Sequence, residues 1–324
     1  MKTNAIRIHE FGGPEVLRWE EVDLADPAAG QALIRHTAIG LNFIDVYHRS
    51  GLYPAELPGG IGSEAAGVVE AIGPGVTEAA IGDRVVYTGQ PADAYSERRN
   101  RDAATLVKIP DGVSDEVAAA VFLKGLTSWY LLRRSYRVQS GDSILLYAAA
   151  GGVGSLASQW AKKLGATVIG VVSTDEKAAL ARAHGCHHIV MADDDIPKAV
   201  RELTGGEGVA AVYDSVGRDT FFASLDSLRP HGTMVTFGNA TGPVEPFAPS
   251  ELAARGSLYV TRPILYHFID TRENLLSASE ELFEFIDGAD VDVRIGQSYA
   301  LEDAAQAHSD LEARKTTGST ILLP

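Results

Sequence analysis

The sequence predicts an α/β protein of two parts, a barrel-like β domain and a doubly wound parallel sheet. Three observations carry that prediction. Short apolar runs broken by glycine and proline corners fill the first third of the chain. From Asp142 onward, strand-like and helix-like segments alternate regularly. A glycine cluster, Gly151, Gly152 and Gly154, stands where one of those strands passes into a helix. The 324 residues leave room for roughly two domains.

In the first third, Ile6 and Ile8 alternate with polar neighbours, and Ala32-Leu33-Ile34-Arg35-His36-Thr37-Ala38 keeps the extended character. Gly12-Gly13-Pro14, Asp26-Pro27, Leu57-Pro58-Gly59-Gly60 and Gly73-Pro74-Gly75 supply turns. Residues 65–73 and 82–87 read as two further strands, and short strands at such intervals fit a closed barrel. This third reads as strands, turns and loops. Ser114-Asp115-Glu116-Val117 then marks a helix start, and residues 118–132 are largely apolar.

Further on, strands are expected at 143–148, Thr167–Val172, 188–190, Val209–Asp214 and 233–237, with helices at 155–164 and Asp175–Ala183. Leu258-Tyr259-Val260 reads as a last edge strand. Such alternation implies a parallel sheet covered on both faces. Arg272–Ile286 and 302–314 read as amphipathic helices, the former with Leu275, Leu276, Leu282 and Phe285 as an ordinary core face. The terminal strand at 320–323 has no evident partner nearby in the sequence, so it is expected to return to the N-terminal domain.

Composition excludes several functions. The balance of 28 basic and 43 acidic residues gives a net charge of −15, which opposes general binding to nucleic acid or anionic membranes. It leaves room for a local basic pocket for one small anion. One cysteine, Cys186, excludes an intrachain disulfide and a multi-cysteine zinc cluster, and fits a reducing compartment. Residues 1–7 lack the apolar stretch of a signal peptide, and no window nears the roughly 18 apolar residues of a membrane helix. A soluble, cytoplasmic protein is expected.

The run Tyr147-Ala148-Ala149-Ala150-Gly151-Gly152-Val153-Gly154 has the context a dinucleotide loop requires, after a strand and before a helix. Ala149 stands at the first glycine position of G-x-G-x-x-G, while Gly151 and Gly154 match the second and third. Gly151 would admit a pyrophosphate and Gly154 would let helix and strand pack closely. Unpaired N–H groups at the helix start would face the phosphates. About 20 residues on, where NAD sites carry an acid, this chain has Val172-Ser173-Thr174. Two hydroxyls donate to a 2′-phosphate that an acid would repel, and Lys177 supplies charge one turn beyond Ser173. Asp175 and Glu176 lie close by and complicate the site, though acids also suit a first helical turn. The pattern favours NADPH over NADH.

Seven stretches resemble the zinc-free quinone oxidoreductases of the medium-chain dehydrogenase/reductase superfamily, and among them the bacterial NADPH-dependent, zeta-crystallin-like group. They are Gly12-Gly13-Pro14-Glu15-Val16-Leu17, Gly40-Leu41-Asn42-Phe43-Ile44-Asp45-Val46-Tyr47, Arg49-Ser50-Gly51-Leu52-Tyr53-Pro54, Gly62-Ser63-Glu64-Ala65-Ala66-Gly67, Phe122-Leu123-Lys124-Gly125-Leu126-Thr127, the loop from Ala148 to Gly154, and Tyr213-Asp214-Ser215-Val216-Gly217. They span essentially the whole chain. The resemblance implies a GroES-like β-barrel catalytic domain at 1–124 and 266–324 and a Rossmann cofactor domain at 125–265. Against the zinc-dependent members, Asn42 replaces a ligating Cys and Ser63 a ligating His, and the cysteine-rich lobe is absent. No metal is expected, and alcohol oxidation loses the Lewis acid that supports it. A quinone or an activated alkene accepts hydride without one.

By resemblance, Asn42, Asp45, Tyr47 and Tyr53 line the cleft near the nicotinamide and are the candidate catalytic residues. The Asn42 amide N–H and the Tyr47 phenol would donate to a quinone oxygen as charge develops on it, and Tyr53 would donate or stack. Taken without the resemblance, Asn42 and Asp45 also fit turn and cap chemistry, and the tyrosines fit packing. Cofactor contacts carry over to Asn42, Tyr47, Thr127, Ala150, Gly151, Gly152, Val153, Gly154, Ser173, Thr174, Lys177, Phe237, Gly238 and Arg314. Met191 stands where many bacterial relatives carry a Tyr near the 2′-phosphate, a departure that leaves Lys177 as the main positive partner. Lys124 is expected either to touch the cofactor or to cap a helix.

The pair His187-His188 points to opposite faces of a strand and is not expected to bind metal. Asp193-Asp194-Asp195 reads as a solvated loop and helix start. The edge at Leu258-Tyr259-Val260 calls for a partner strand, and the family joins two sheets there, so a homodimer is expected. NADPH-dependent quinone reduction is the first functional expectation. The alternatives are reduction of enals or enones, and a non-catalytic cofactor- or RNA-binding role.

Overall fold

The computed structural model describes residues 1–288 and 291–324, and the chain divides into two units. The first comprises Met1–Lys124 and Ile269–Pro324, the second Gly125–Phe268.

In the first unit the long strand Gln31–Leu41 serves several partners. It pairs antiparallel with Glu64–Ile72 along its length, with Arg98–Asp102 through its first half, and with Ser319–Leu323 at Ile39–Leu41. Register irregularities at Leu33/Ile34 and His36/Ala38 bend it enough to change partners, the usual effect of a bulge. Glu64–Ile72 continues to Arg84–Thr88 and then Val107–Lys108, while Arg18–Asp23, Lys2–Ile8 and Gly59–Gly60 form a second small sheet. Ile6, Ile8, Ile34, Ile39, Val69, Val85 and Leu322 meet in one core between these sheets.

Two expectations for this unit need correction. The first third is not free of helix: Phe43–Arg49 is helical, seven residues directly after the long strand. The terminal strand does return to the N-terminal sheet, but it also has a nearby partner, the parallel strand Ile295–Ala300. That strand was not legible because one of its half-buried positions is polar: the Gln297 amide donates to Ser319 O at 3.3 Å.

In the second unit six strands form one parallel sheet in the order His188–Met191, Thr167–Val172, Ser143–Tyr147, Val209–Asp214, Leu228–Thr236, Tyr259–Thr261. The order reverses beside Ser143–Tyr147, the switch point at which doubly wound sheets bind ligands. Continuous apolar runs explain the strands, since every residue of Val209–Asp214 is buried. The helix after Ser143–Tyr147 is Gly152–Lys163, so the glycines open it rather than precede it. Asp195 accepts from Lys198 N at 3.2 Å and caps Ile196–Leu203. Among the described residues no helix is long and apolar enough to cross a membrane.

Candidate functional site

In the first unit, the short helix Phe43–Arg49 presents Asn42, Asp45 and Tyr47 together. Asn42, in extended conformation, is its N-cap, and it forms a capping box with Asp45. Asp45 Oδ2 accepts from Asn42 N at 2.9 Å. The carboxylate also accepts from Ser63 Oγ at 2.6 Å and from the Tyr95 hydroxyl at 3.0 Å. Asp45 is fully buried. Burial, aided by the nearby Glu64 charge, pushes its pKa up to about 6 against the pull of those three donors. Asp45 thus holds the start of the helix, the cap chemistry that its residue type allowed.

Glu64 is a second buried hub. It opens the strand Glu64–Ile72 and sits opposite Gly40 in register. A side chain at Gly40 would run into the Glu64 carboxylate, so only glycine fits there. Glu64 accepts from Leu123 N at 2.6 Å, from Lys124 Nζ at 3.0 Å and from Asn42 Nδ2 at 2.8 Å. Asn42 Nδ2 gives its other hydrogen to Gly40 O at 3.3 Å. The amide hydrogens expected to reach a substrate oxygen are therefore committed to the interior, because two acceptors surround them. Lys124 lies inside the helix Asp115–Tyr130, and its ammonium pairs with Glu64.

A chain of hydrogen bonds leads from Asp45 to the C-terminal helix Ala304–Glu312. His308 Nε2 lies 3.1 Å from the Tyr95 hydroxyl, and His308 Nδ1 lies 3.0 Å from Arg49 Nη1. Arginine only donates, so Nδ1 is the acceptor and Nε2 carries the proton toward Tyr95, which donates to Asp45. Burial, reinforced by the Arg49 charge, lowers the His308 pKa to about 3. Arg49 ends the chain on Glu312 at 2.9 Å.

Tyr47 and Tyr53 lie edge to face, with ring centroids 5.1 Å apart, in a cluster completed by Phe43 and His48. Tyr53 N donates to Tyr47 O at 3.1 Å and fixes the loop to the helix. The structure thus brings the four candidate catalytic residues of this unit around one helix. Asn42 and Asp45 face inward hubs, and the two phenols form an aromatic pair.

In the second unit most of the remaining candidates lie at or just after the C-terminal ends of the parallel strands. Ala148 follows Ser143–Tyr147 with φ +52°, and Gly151 N closes a turn on Ala148 O at 2.9 Å. Gly151 is the N-cap of Gly152–Lys163, and no side chain caps that helix. The first-turn N–H groups of Gly152, Val153 and Gly154 therefore await an acceptor. A Cβ at Gly154 would collide with the Ala148–Ala149 backbone, whereas one at Gly151 would meet only Ala148 O at 3.2 Å. Glycine at 154 serves packing and glycine at 151 leaves an open approach, so the loop fits a dinucleotide pyrophosphate.

At the next strand end Ser173 and Thr174 are exposed, and Thr174 Oγ1 accepts from Lys177 N at 3.2 Å while keeping its own hydrogen to donate. Met191 pairs with Val172 at the end of the neighbouring strand and offers a thioether there instead of a phenol. Phe237 N donates to Asp214 O at 2.8 Å, and Gly238 is packed against the Ser215 backbone too closely for any side chain. Thr127 is half-buried on Asp115–Tyr130. Arg314, in the first unit, is exposed with φ +58°.

Among the described residues, no three His, Cys, Asp or Glu side chains gather around a common metal position. Residue-level reading missed Glu64, Tyr95 and His308 as parts of the site. Glu64 carried a usable signal, a lone acid opening an apolar small-residue strand that must be paired if buried. Tyr95 and His308 carried none.

Residues 28–132 match the alcohol dehydrogenase GroES-like domain and residues 152–291 the zinc-binding dehydrogenase domain. The chain is 51% identical to a quinone oxidoreductase of Pseudomonas aeruginosa over 98% of this chain and 99% of that one. It is 45% identical to a 2-haloacrylate reductase of a Burkholderia species over 98% of each. It matches the structure of Escherichia coli quinone oxidoreductase complexed with NADPH with a TM-score of 0.97 at 48% identity, over 99% of this chain and 100% of that one. The chain belongs to the quinone oxidoreductase family of the medium-chain dehydrogenase/reductase superfamily.

Proposed function

We propose that this protein reduces quinones with NADPH by hydride transfer and without a metal. The observation that carries the reading is the near-complete likeness to quinone oxidoreductases, at 51% identity against 45% for the haloacrylate reductase. NADPH, when bound, supplies the hydride from nicotinamide C4. Ala150, Gly151, Gly152, Val153 and Gly154 would hold the pyrophosphate through backbone N–H groups. Ser173, Thr174 and Lys177 would hold the 2′-phosphate, with Thr127, Phe237, Gly238 and Arg314 as further contacts. Tyr47 and Tyr53 are the donors for an acceptor oxygen that gains negative charge, a role phenols fill well in a site shielded from water. Asn42 and Asp45 hold the helix that carries Tyr47. A quinone plus NADPH plus one proton gives hydroquinone plus NADP⁺, and water supplies the proton.

The open edge strand Tyr259–Thr261 supports assembly as a homodimer at Leu258-Tyr259-Val260. It is paired on one side only among the described residues, and Tyr259 is 61% exposed. The single buried thiol, Cys186, fits a reducing cytoplasm. The test of function is NADPH oxidation, followed at 340 nm, across a panel of benzoquinones, naphthoquinones and enones. Higher kcat/KM for quinones is expected. Turnover of enones with none of any quinone would overturn the reading.

A further inference from the structure

Asn42 is held at two points by buried groups, and the two do different things. Asp45 takes its backbone N–H and so sets the helix start. Glu64 and Gly40 O take both hydrogens of its side-chain amide. Both neighbours are acceptors, so only the nitrogen can face them. What remains of the amide for a ligand is acceptor capacity at Oδ1, one of whose two lone pairs already faces the Asp45 N–H of the capping box.

Glu64 cannot turn away to release that amide. Its other oxygen is bound to Leu123 N at 2.6 Å, Lys124 Nζ lies 3.0 Å from the oxygen that Asn42 uses, and the carboxylate is sealed from solvent against Gly40. Three donors thus hold three of the roughly four lone-pair positions of the carboxylate, one of them a paired ammonium. Two acceptors repel, so a quinone oxygen finds no partner at Asn42, whereas a hydroxyl does.

We propose that Glu64, locked by Lys124 and the Leu123 N–H, is a positioning residue that makes Asn42 an acceptor-only contact for a ligand hydroxyl. The inference rests on the nicotinamide-dependent reading above. Such a hydroxyl has two sources there, the ribose of the cofactor and the newly formed hydroquinone. Selection of a hydroxyl at Asn42 leaves polarisation of the quinone to the phenols.

Glu64→Gln is the direct test. Leu123 N still requires an oxygen acceptor, so the carbonyl of the substituted side chain stays with it. The new amide nitrogen then faces both Asn42 and Lys124 Nζ, so the Asn42 amide must flip and the ammonium must withdraw. In cofactor-free protein the Asn42 side-chain NH₂ should exchange with solvent slowly. In the variant it should exchange about tenfold faster, the worth of one hydrogen bond. The same variant and Asn42→Ala should each raise the NADPH Kd about tenfold by calorimetry. If instead the inhibition constant for a benzohydroquinone rises by that factor with NADPH binding unchanged, the product is the source of the hydroxyl. Lys124→Met, measured alike, serves if Glu64→Gln does not fold. Unchanged exchange in Glu64→Gln or Lys124→Met overturns the positioning role, and unchanged affinity for both ligands in Asn42→Ala overturns the acceptor role. Exchange and cofactor binding are measured without quinone, so neither result depends on which acceptor the enzyme reduces.

Discussion

Ser63 Oγ donates to Asp45 Oδ1 across 2.6 Å, with both groups sealed inside the first unit. By the resemblance noted above, Ser63 stands where zinc-dependent members carry a ligating His; its hydroxyl serves a carboxylate. The expected consequence is that dialysis against EDTA leaves NADPH–quinone turnover unchanged. Loss of turnover on chelation, restored by added zinc, would contradict this. Ser63→Ala should lower stability by about 1–2 kcal/mol in urea unfolding, because Asp45 loses a buried donor.

Stability should depend on pH through three buried groups. Burial holds His36 and His308 near pKa 3, below their usual 6.5, so each is neutral when folded and protonated when unfolded across that interval. Each therefore removes about 1.4 kcal/mol per pH unit as pH falls. Asp45 works in the opposite sense between 3.8 and about 6, since the folded form binds the extra proton. For these three groups the net near pH 5 is one proton, a contribution of about 1.4 kcal/mol lost per unit of acidification. His308→Gln should flatten that slope in urea titrations, and an unaltered slope would count against the assignment.

Gly154 and Gly151 should separate packing from ligand approach. Gly154→Ala forces a methyl into the Ala148–Ala149 backbone and should cost about 1–3 kcal/mol, seen as a lower Tm. Gly151→Ala should change Tm much less but weaken NADPH binding. Equal effects on Tm would show that both glycines serve packing alone.

Lys177→Ala should weaken NADPH about tenfold while leaving NADH nearly unchanged, because only the former carries a 2′-phosphate. Calorimetry with both cofactors decides it. Equal weakening would place the 2′-phosphate elsewhere.

Tyr53→Phe removes a donor and keeps the ring that packs on Tyr47 at 5.1 Å. It should lower kcat about tenfold or more with KM little changed, the signature of an interaction made in the transition state. A rise in KM alone would instead make Tyr53 a packing surface for the quinone.

The sheet of the second unit was legible almost residue by residue. Ser143–Tyr147, Thr167–Val172 and Val209–Asp214 are continuous apolar runs, and a run buried on both faces carries its own signature. The helix Phe43–Arg49 carried none. Its last five residues include Asp45, His48 and Arg49, buried only because Ser63, Tyr95, His308 and Glu312 come from distant parts of the chain to pair with that helix. In the site, Tyr47 and Tyr53 were named through resemblance, and Glu64 lay within a quoted motif without a role.

By itself, then, the sequence determined the two-part α/β architecture and the glycine loop that opens a helix. These are local properties, set by periodicity, backbone freedom and side-chain chemistry. Tertiary structure alone decided which acceptors take the Asn42 amide hydrogens and which tautomer His308 adopts. Donor and acceptor roles in a buried network are assigned by every partner at once, and those partners lie 22 residues apart for Asn42 and Glu64 and 259 apart for Arg49 and His308.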